Sequence, residues 1–369
     1  MERTKKKNLI FIGPLPPPIL GESIALKSLY DAKRLHEDFN VKKINLNRKD
    51  FENPGGISFE KLFADSFAIV RSLFLSITLK KPIIYISISQ TKLGLLRDCL
   101  IIHLCKTFGR CKVVTHLHGN NLGGTIDATS GSINKFINNT LKKVDIGIVL
   151  GSKLAGNYKG LVNRVEVVSN GIPLDFIRKE EIEGKKSKGG VSLLYLSNLM
   201  VEKGYIELVK AVASLVQEGH TIKLDLVGGI QNESEFQKVK EFIKANKVEK
   251  NIQYHGIKKG EEKKQFFLES DLMALPTKYK VEGQPMSIIE GMAAGLPIIS
   301  SDRGIIAEMI KDCGVLVEPT VEELKTAIKH LVINAEERLR LGKVSRNKFE
   351  NLYTEDKYSD ALVNLFNDL

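Results

Sequence analysis

Residues 191–218 read VSLLYLSNLMVEKGYIELVKAVASLVQE, and three signals follow one another in that stretch. Val191–Ser197 is a short apolar run of strand type. Gly204–Glu218 repeats apolar residues at helical spacing. Lys203-Gly204 sits between the two, where a strand turns into a helix. A lysine at such a turn can neutralise a phosphate. A strand-turn-helix unit of this kind predicts a parallel sheet if it recurs.

It recurs along the whole chain. Strand-like runs are expected at 8–13, 82–89, 111–119, 146–150 and 165–170 in the first half. In the second half they are expected at 191–197, 221–229, 251–257, 271–277, 297–302 and 314–319. Helical patterns lie between them, among them 204–218, 233–245 and 321–341. The 369 residues are long for one core and comfortable for two. The expected domains are 1–170 and 171–350, with a terminal helix at 351–369 packing back on the first. The charged segment 178–190, RKEEIEGKKSKGG, lacks apolar periodicity and is the best linker candidate. Two such α/β domains would leave a cleft at the carboxyl ends of their strands, where open α/β sheets bind ligands.

Composition narrows the class. The apolar fraction is 43% and the charged fraction 27%, ordinary for a soluble globular protein. No apolar run reaches the roughly 18 residues that span a bilayer. The basic start followed by prolines reads as a first strand rather than a signal peptide. Four cysteines fit a reducing cytosol, and the spacing of Cys99, Cys105 and Cys111 suits packing better than zinc. The net charge of +11 is uneven. Residues 1–170 hold 26 Lys and Arg against 13 Asp and Glu, a net of 26 − 13 = +13, and the remainder nets 29 − 31 = −2. A basic face can meet nucleic acid, an anionic membrane or a phosphorylated substrate. No nucleic-acid-binding pattern appears, so nucleic acid is not an expected partner. The segment 59–81 mixes apolar content with basic ends and reads either as an interfacial helix or as a buried one.

The densest chemistry is in VEGQPMSIIEGMAAGLPIISSD, 281–302. Gly283 and Pro285 make a turn, and Ser287 is placed to cap a helix of about 288–294 that Gly295 and Pro297 end. Free N–H groups at such a start attract anions, so a phosphate would sit near Gln284 to Ser287. Glu282 and Glu290 stand eight apart, and a carboxylate accepts two hydrogen bonds from a vicinal diol. On spacing alone, a solvated helix residue is the favoured reading of Glu290. Gly228 in LDLVGG and the run His255-Gly256-Ile257 end two other strands. Glycine there lets the backbone approach a flat base.

In this order these motifs, with PPPILGES, THLHG, VVSNGI, DLMALPT and SDRGIIAE, resemble the retaining glycosyltransferases of the GT-B fold, glycosyltransferase family four (glycosyl transferases group 1). The resemblance covers nearly the whole chain, and its strongest element is the Glu-x7-Glu signature at Glu282 and Glu290. It implies an α/β chain of GT-B type, two Rossmann-like domains with parallel sheets facing a central cleft. It implies metal-independent, retaining transfer of a hexose or N-acetylhexosamine, with no cofactor, from a nucleotide-diphosphate sugar, UDP-sugar favoured. The implied acceptor is a glycan or a polyprenyl-diphosphate-linked lipid in bacterial surface polysaccharide synthesis. The place of work is the cytoplasm, with peripheral contact at an anionic membrane motivated by the basic half. A nucleotide-sugar 2-epimerase of the same architecture is the runner-up.

Roles carry over residue by residue. Glu290 would bind the ribose and Glu282 the donor sugar, helped by backbone from Gly283 through Gln284, Pro285, Met286 and Ser287. Lys203 would pair with the diphosphate, and Gly228, His255, Gly256 and Ile257 would border the base. Gly21 would approach the diphosphate from the first domain. His118, followed by Gly119, would lie near the anomeric carbon. His118, Glu282 and Lys203 are the expected catalytic set. The family often has Gly-Arg before the lysine motif, where Ser197-Asn198 stand here. Asn198 therefore joins the donor contacts without a second cation. Glu22 stands where a second glycine is common, and Gln284 where an aromatic or aliphatic residue is.

Overall fold

The computed structural model describes residues 6–18, 20–47, 59–183 and 189–369. The chain divides into two compact units, Met1–Gly171 with Glu355–Leu369, and Ile172–Thr354.

In the N-terminal unit the strands are β1 Lys7–Gly13, β2 Phe39–Asn45, β3 Ile83–Ser87, β4 Lys112–Leu117, β5 Ile146–Val149 and β6 Val165–Val167. They form one sheet in the order β2-β1-β3-β4-β5-β6, every pair parallel. Leu9, Phe11, Tyr85 and Val114 share one face of it. They pack against Leu26 and Leu29 of helix Gly21–Asp31 and Leu362 and Phe366 of the terminal helix Glu355–Asn367. Helices Phe59–Thr78 and Lys92–Phe108 also pack on each other. Parallel strands must be covered on both faces, which is why β3 is buried at every residue.

In the C-terminal unit β7 Val191–Leu196, β8 Ile222–Val227, β9 Ile252–Tyr254, β10 Leu272–Leu275, β11 Ile298–Ser300 and β12 Gly314–Leu316 form a second parallel sheet. Its order is β12-β11-β10-β7-β8-β9. From β7 the chain winds one way through β8 and β9, then returns and winds the other way from β10. The strand order therefore reverses between β7 and β10, which is where an open α/β sheet binds its ligand. The N-terminal sheet reverses in the same way between β1 and β3.

Three expectations are corrected. The strand β2 was absent from the sequence reading. It is an edge strand with only Phe39 and Ile44 buried and lysines at 42 and 43, so its alternation is weak. The segment 178–190 is not the junction, because the units meet in sequence at Gly171–Ile172 and Thr354–Glu355. Lys179–Glu183 is instead a short helix of the C-terminal unit, tied down by Glu181 to Lys264 at 2.7 Å; residues 184–188 lie outside the described residues. The helix expected over 321–341 is two helices, Val321–Ile333 and Ala335–Leu352. Asn334 takes a non-helical conformation there (φ −107°, ψ 83°) and donates its side-chain amide to the His330 carbonyl at 2.7 Å. Arg338 then satisfies the freed carbonyls of Leu331 and Val332 at 2.6 and 2.9 Å.

Candidate functional site

The loops after β10, β7, β8 and β9 lie side by side along the carboxyl edge of the second sheet, and they carry most of the expected residues. After β7 the chain makes a single tight turn, Val201–Lys203, and then Gly204 with φ +77°. A Cβ on Gly204 would sit 2.0 Å from the Pro276 carbonyl oxygen, so only glycine fits both the conformation and the gap. That turn fixes Lys203 immediately before helix Tyr205–Gln217.

Lys203 Nζ donates to Glu282 Oε2 at 2.6 Å, across the point where the strand order reverses. The hydroxyl of Thr277, fully buried after β10, donates to the same oxygen at 3.1 Å. Lys203 also lies 5.0 Å from the centre of the Tyr279 ring. Glu282 is 7% exposed. A carboxylate that deep needs a counter-charge, and Lys203 supplies it.

Helix Met286–Ala293 begins one turn later. Pro285 occupies its N-cap position, with no side-chain cap, so Ser287 is a first-turn residue and not the cap. Proline has no N–H to leave unsatisfied, which suits it to a helix start. Gly283 accepts from Ile305 N–H at 3.1 Å, which pins the loop. Gln284 is buried, while Met286 and Ser287 are half-buried. Glu290, on the second turn, is 8% exposed and not a solvated helix residue. Burial raises its carboxyl above the usual range, and Lys263, whose Nζ lies 2.5 Å from Oε1, opposes that rise. Lys263 also lies 5.6 Å from the centre of the Phe176 ring.

The ends of β8 and β9 are tied to each other. Gly228 N–H donates to the Gly256 carbonyl at 2.9 Å, and the Tyr254 hydroxyl donates to the Gly228 carbonyl at 3.0 Å. Gly228 has φ +150°, and a Cβ there would lie 1.9 Å from the Ser197 oxygen. Its lack of a side chain thus lets the β7 and β8 loops touch. His255 pairs through Nε2 with Asp225 at 2.6 Å, and Lys223 reaches the same carboxylate at 3.0 Å. Asn198 and Ile257 are exposed. The Asn198 carbonyl accepts the Tyr195 hydroxyl at 3.0 Å.

His118 and Gly21 belong to the N-terminal unit. His118 directly follows β4, and its ring lies 4.0 Å from that of His116, so the two point to the same side. His116 is the core histidine: it is fully buried and its Nδ1 meets the Tyr85 hydroxyl at 2.8 Å. Both ring nitrogens of His118 are shielded and have no hydrogen-bond partner among the described residues. Burial holds its imidazole down to about 3, so it is neutral at pH 7. Gly21 opens its helix and is exposed, and Glu22 beside it accepts the Ser87 hydroxyl. Burial raises the Glu22 carboxyl.

Lys263, Thr277 and Asp225 were missed from sequence. Asp225 had a signal: it is the one carboxylate inside the apolar strand IKLDLV, and such a group needs a partner. Lys263 had a weaker one, standing four before the buried Phe267 on the inward side of helix Gly260–Glu269. Among the described residues, no three His, Cys, Asp or Glu come together in a way that could hold a metal.

Residues 176–348 match the family of glycosyl transferases group 1. Among curated proteins, the chain is 29% identical over 123 residues to the amylovoran biosynthesis glycosyltransferase AmsK of Erwinia amylovora, covering 32% of this chain and 30% of that one. It is also 29% identical over 123 residues to O-antigen chain mannosyltransferase C of Escherichia coli, 32% of this chain and 33% of that one. The aligned part spans about a third of these relatives' length. Among solved structures, sucrose-phosphate synthase from Thermosynechococcus elongatus superposes with a TM-score of 0.76 at 16% identity, covering 98% of this chain and 99% of that one. Anabaena HepE, crystallised with UDP, gives 0.74 at 14% identity, with 98% and 100% covered. At such identities the likeness is one of fold.

Proposed function

We propose, from a GT-B chain whose C-terminal unit belongs to the glycosyl transferases group 1 family, that this protein transfers a hexose or N-acetylhexosamine from a nucleotide-diphosphate sugar. The observation that carries the reading is the pair of buried carboxylates, Glu282 and Glu290, each neutralised by its own lysine. Lys203 lies where the strand order reverses, beside Glu282, and so offers a cation to a diphosphate next to an acceptor for sugar hydroxyls. The eight-residue helix that starts at Met286 adds free N–H groups to the same loop. Glu290 is assigned to the ribose diol, and the edge formed by Gly228, His255, Gly256 and Ile257 to the base.

Transfer is assigned as retaining and metal-independent. Lys203 and the helix start stabilise the leaving diphosphate electrostatically, and its departing oxygen takes the acceptor proton. His118, a neutral imidazole whose two ring nitrogens have no partner among the described residues, is assigned to hydrogen-bond the reacting sugar rather than to act as a base. UDP is the favoured nucleotide, which the UDP complex of the Anabaena neighbour supports. The acceptor is a glycan or polyprenyl-diphosphate-linked glycan of a bacterial surface polysaccharide, in line with the named roles of the curated relatives. The work is assigned to the cytoplasmic side, at an anionic membrane surface.

A thermal-shift panel of UDP-, GDP- and ADP-sugars tests the donor, because a bound ligand raises stability by mass action. A rise with UDP-sugars alone is expected, and no rise with any of the three overturns the reading. Conversion of a UDP-sugar without acceptor would replace transfer by epimerisation.

A further inference from the structure

Helix Phe59–Thr78 covers the N-terminal sheet with one face and leaves the opposite face apolar. Phe63, Phe67, Val70, Phe74 and Ile77 are each between 56% and 77% exposed. Their spacing of four, three, four and three puts them on one stripe. The inward residues are Ala68, Ser72 and Ser76, small groups that let the helix lie close to its neighbour. Ile69, Leu73 and Leu75 are half-buried beside them, so the helix stays apolar well beyond the face it buries, unlike a soluble surface helix.

The stripe is flanked by positive charge. Helices Phe59–Thr78 and Lys92–Phe108 run side by side, joined by Asp65 to Arg97 at 3.3 Å near their starts. Near their ends, Gly109 abuts Ser76. Beside this second end lie exposed Lys80, Lys81, Phe108 and Arg110, and Arg71 is exposed midway along the stripe. Residues 63–110 hold seven Lys and Arg and two acids, a net of 7 − 2 = +5. Both acids, Asp65 and Asp98, are occupied by Arg97.

We infer that this helix is the membrane-contact surface of the protein, lying flat on an anionic bilayer with its phenylalanines in the acyl boundary and Arg71, Lys80, Lys81 and Arg110 on lipid phosphates. The inference deepens the assignment to a membrane surface made above. Two features select a bilayer over a second copy of the chain. The fifteen residues from Phe63 to Ile77 make a stripe about 21 Å long. Its five apolar side chains fall well short of the roughly 20–30 residues a side of a stable protein interface. A two-fold contact through it would also bring Arg71 of each copy toward the other. A bilayer needs no matching surface, and apolar burial and anionic attraction add on one face.

Flotation of the full chain with vesicles tests this. Wild type should float with phosphatidylglycerol-containing vesicles at low salt, and at least tenfold less with pure phosphatidylcholine or at high salt. Phe67→Ser with Phe74→Ser should cut partition to the anionic vesicles at least tenfold. Arg71→Glu with Lys80→Glu should do the same. All four positions are exposed, so both variants should keep the wild-type melting temperature and UDP-induced shift. An unchanged UDP shift with lost flotation separates this inference from the donor assignment. Absence of wild-type flotation at low salt overturns it, as does equal flotation of the serine variant. A concentration-dependent dimer abolished by the serine substitutions overturns it too.

Discussion

The two units solve the same topological problem and equip the solution differently. In each, the strand order reverses once, between β1 and β3 in the first sheet and between β7 and β10 in the second. At the first reversal Glu22 meets the neutral hydroxyl of Ser87. At the second, Glu282 meets Lys203, and Glu290, on the helix that follows β10, meets Lys263 of helix Gly260–Glu269. A carboxylate held by a hydroxyl offers an incoming phosphate only repulsion. A carboxylate held by a lysine offers a cation that can be shared. Topology provides two crevices, and side-chain charge makes the second the better anion site.

The largest expected effect breaks that second pairing. Lys203→Met leaves Glu282 buried without its counter-charge and should cost about 3 kcal/mol in urea unfolding. Lys203→Met with Glu282→Met should recover most of the stability while UDP binding stays lost. An unfolding midpoint unchanged in the single variant would show that the pair does not hold the loop. Glu290→Ala comes next, weakening UDP binding by roughly 1.5–3 kcal/mol in calorimetry through the lost diol contact. Unchanged affinity would remove its ribose role.

A smaller effect is set by the first unit. His118 and His116 are held neutral by burial. Their folded values lie below the unfolded one, so below about pH 6.5 the unfolded chain binds more protons and stability falls with pH. For His118 the loss should approach about 1.4 kcal/mol per pH unit between pH 6 and pH 3. His118→Gln should flatten the slope over pH 4–6, and an identical slope would show that the ring is solvated. The smallest effect is Glu22→Gln. Replacing a carboxylate that burial already disfavours should raise stability at pH 7 by less than about 1 kcal/mol. UDP affinity should not change, and a clear loss would make the two crevices partners in donor binding.

Much of this was legible in order along the chain. Eleven strand runs, the Lys203-Gly204 turn and the Glu282–Glu290 spacing are local signals, written in periodicity and in residues with special backbone demands. The edge strand β2 escaped because one half-buried strand between charged residues alternates weakly. Asn334 escaped because a helix break by a side-chain amide looks like any helical asparagine.

The sequence alone determined which residues stand at strand ends and which backbone turns need glycine, because those depend on neighbours a few residues away. Only the tertiary structure decided what each carboxylate faces. Lys203 reaches Glu282 across 79 residues of chain, and Lys263 reaches Glu290 across 27. Those pairings are set by strand order and by the depth at which each loop is buried. An eight-residue spacing could not reveal that Glu290 is inside, since on that spacing alone a solvated helix residue is the favoured reading.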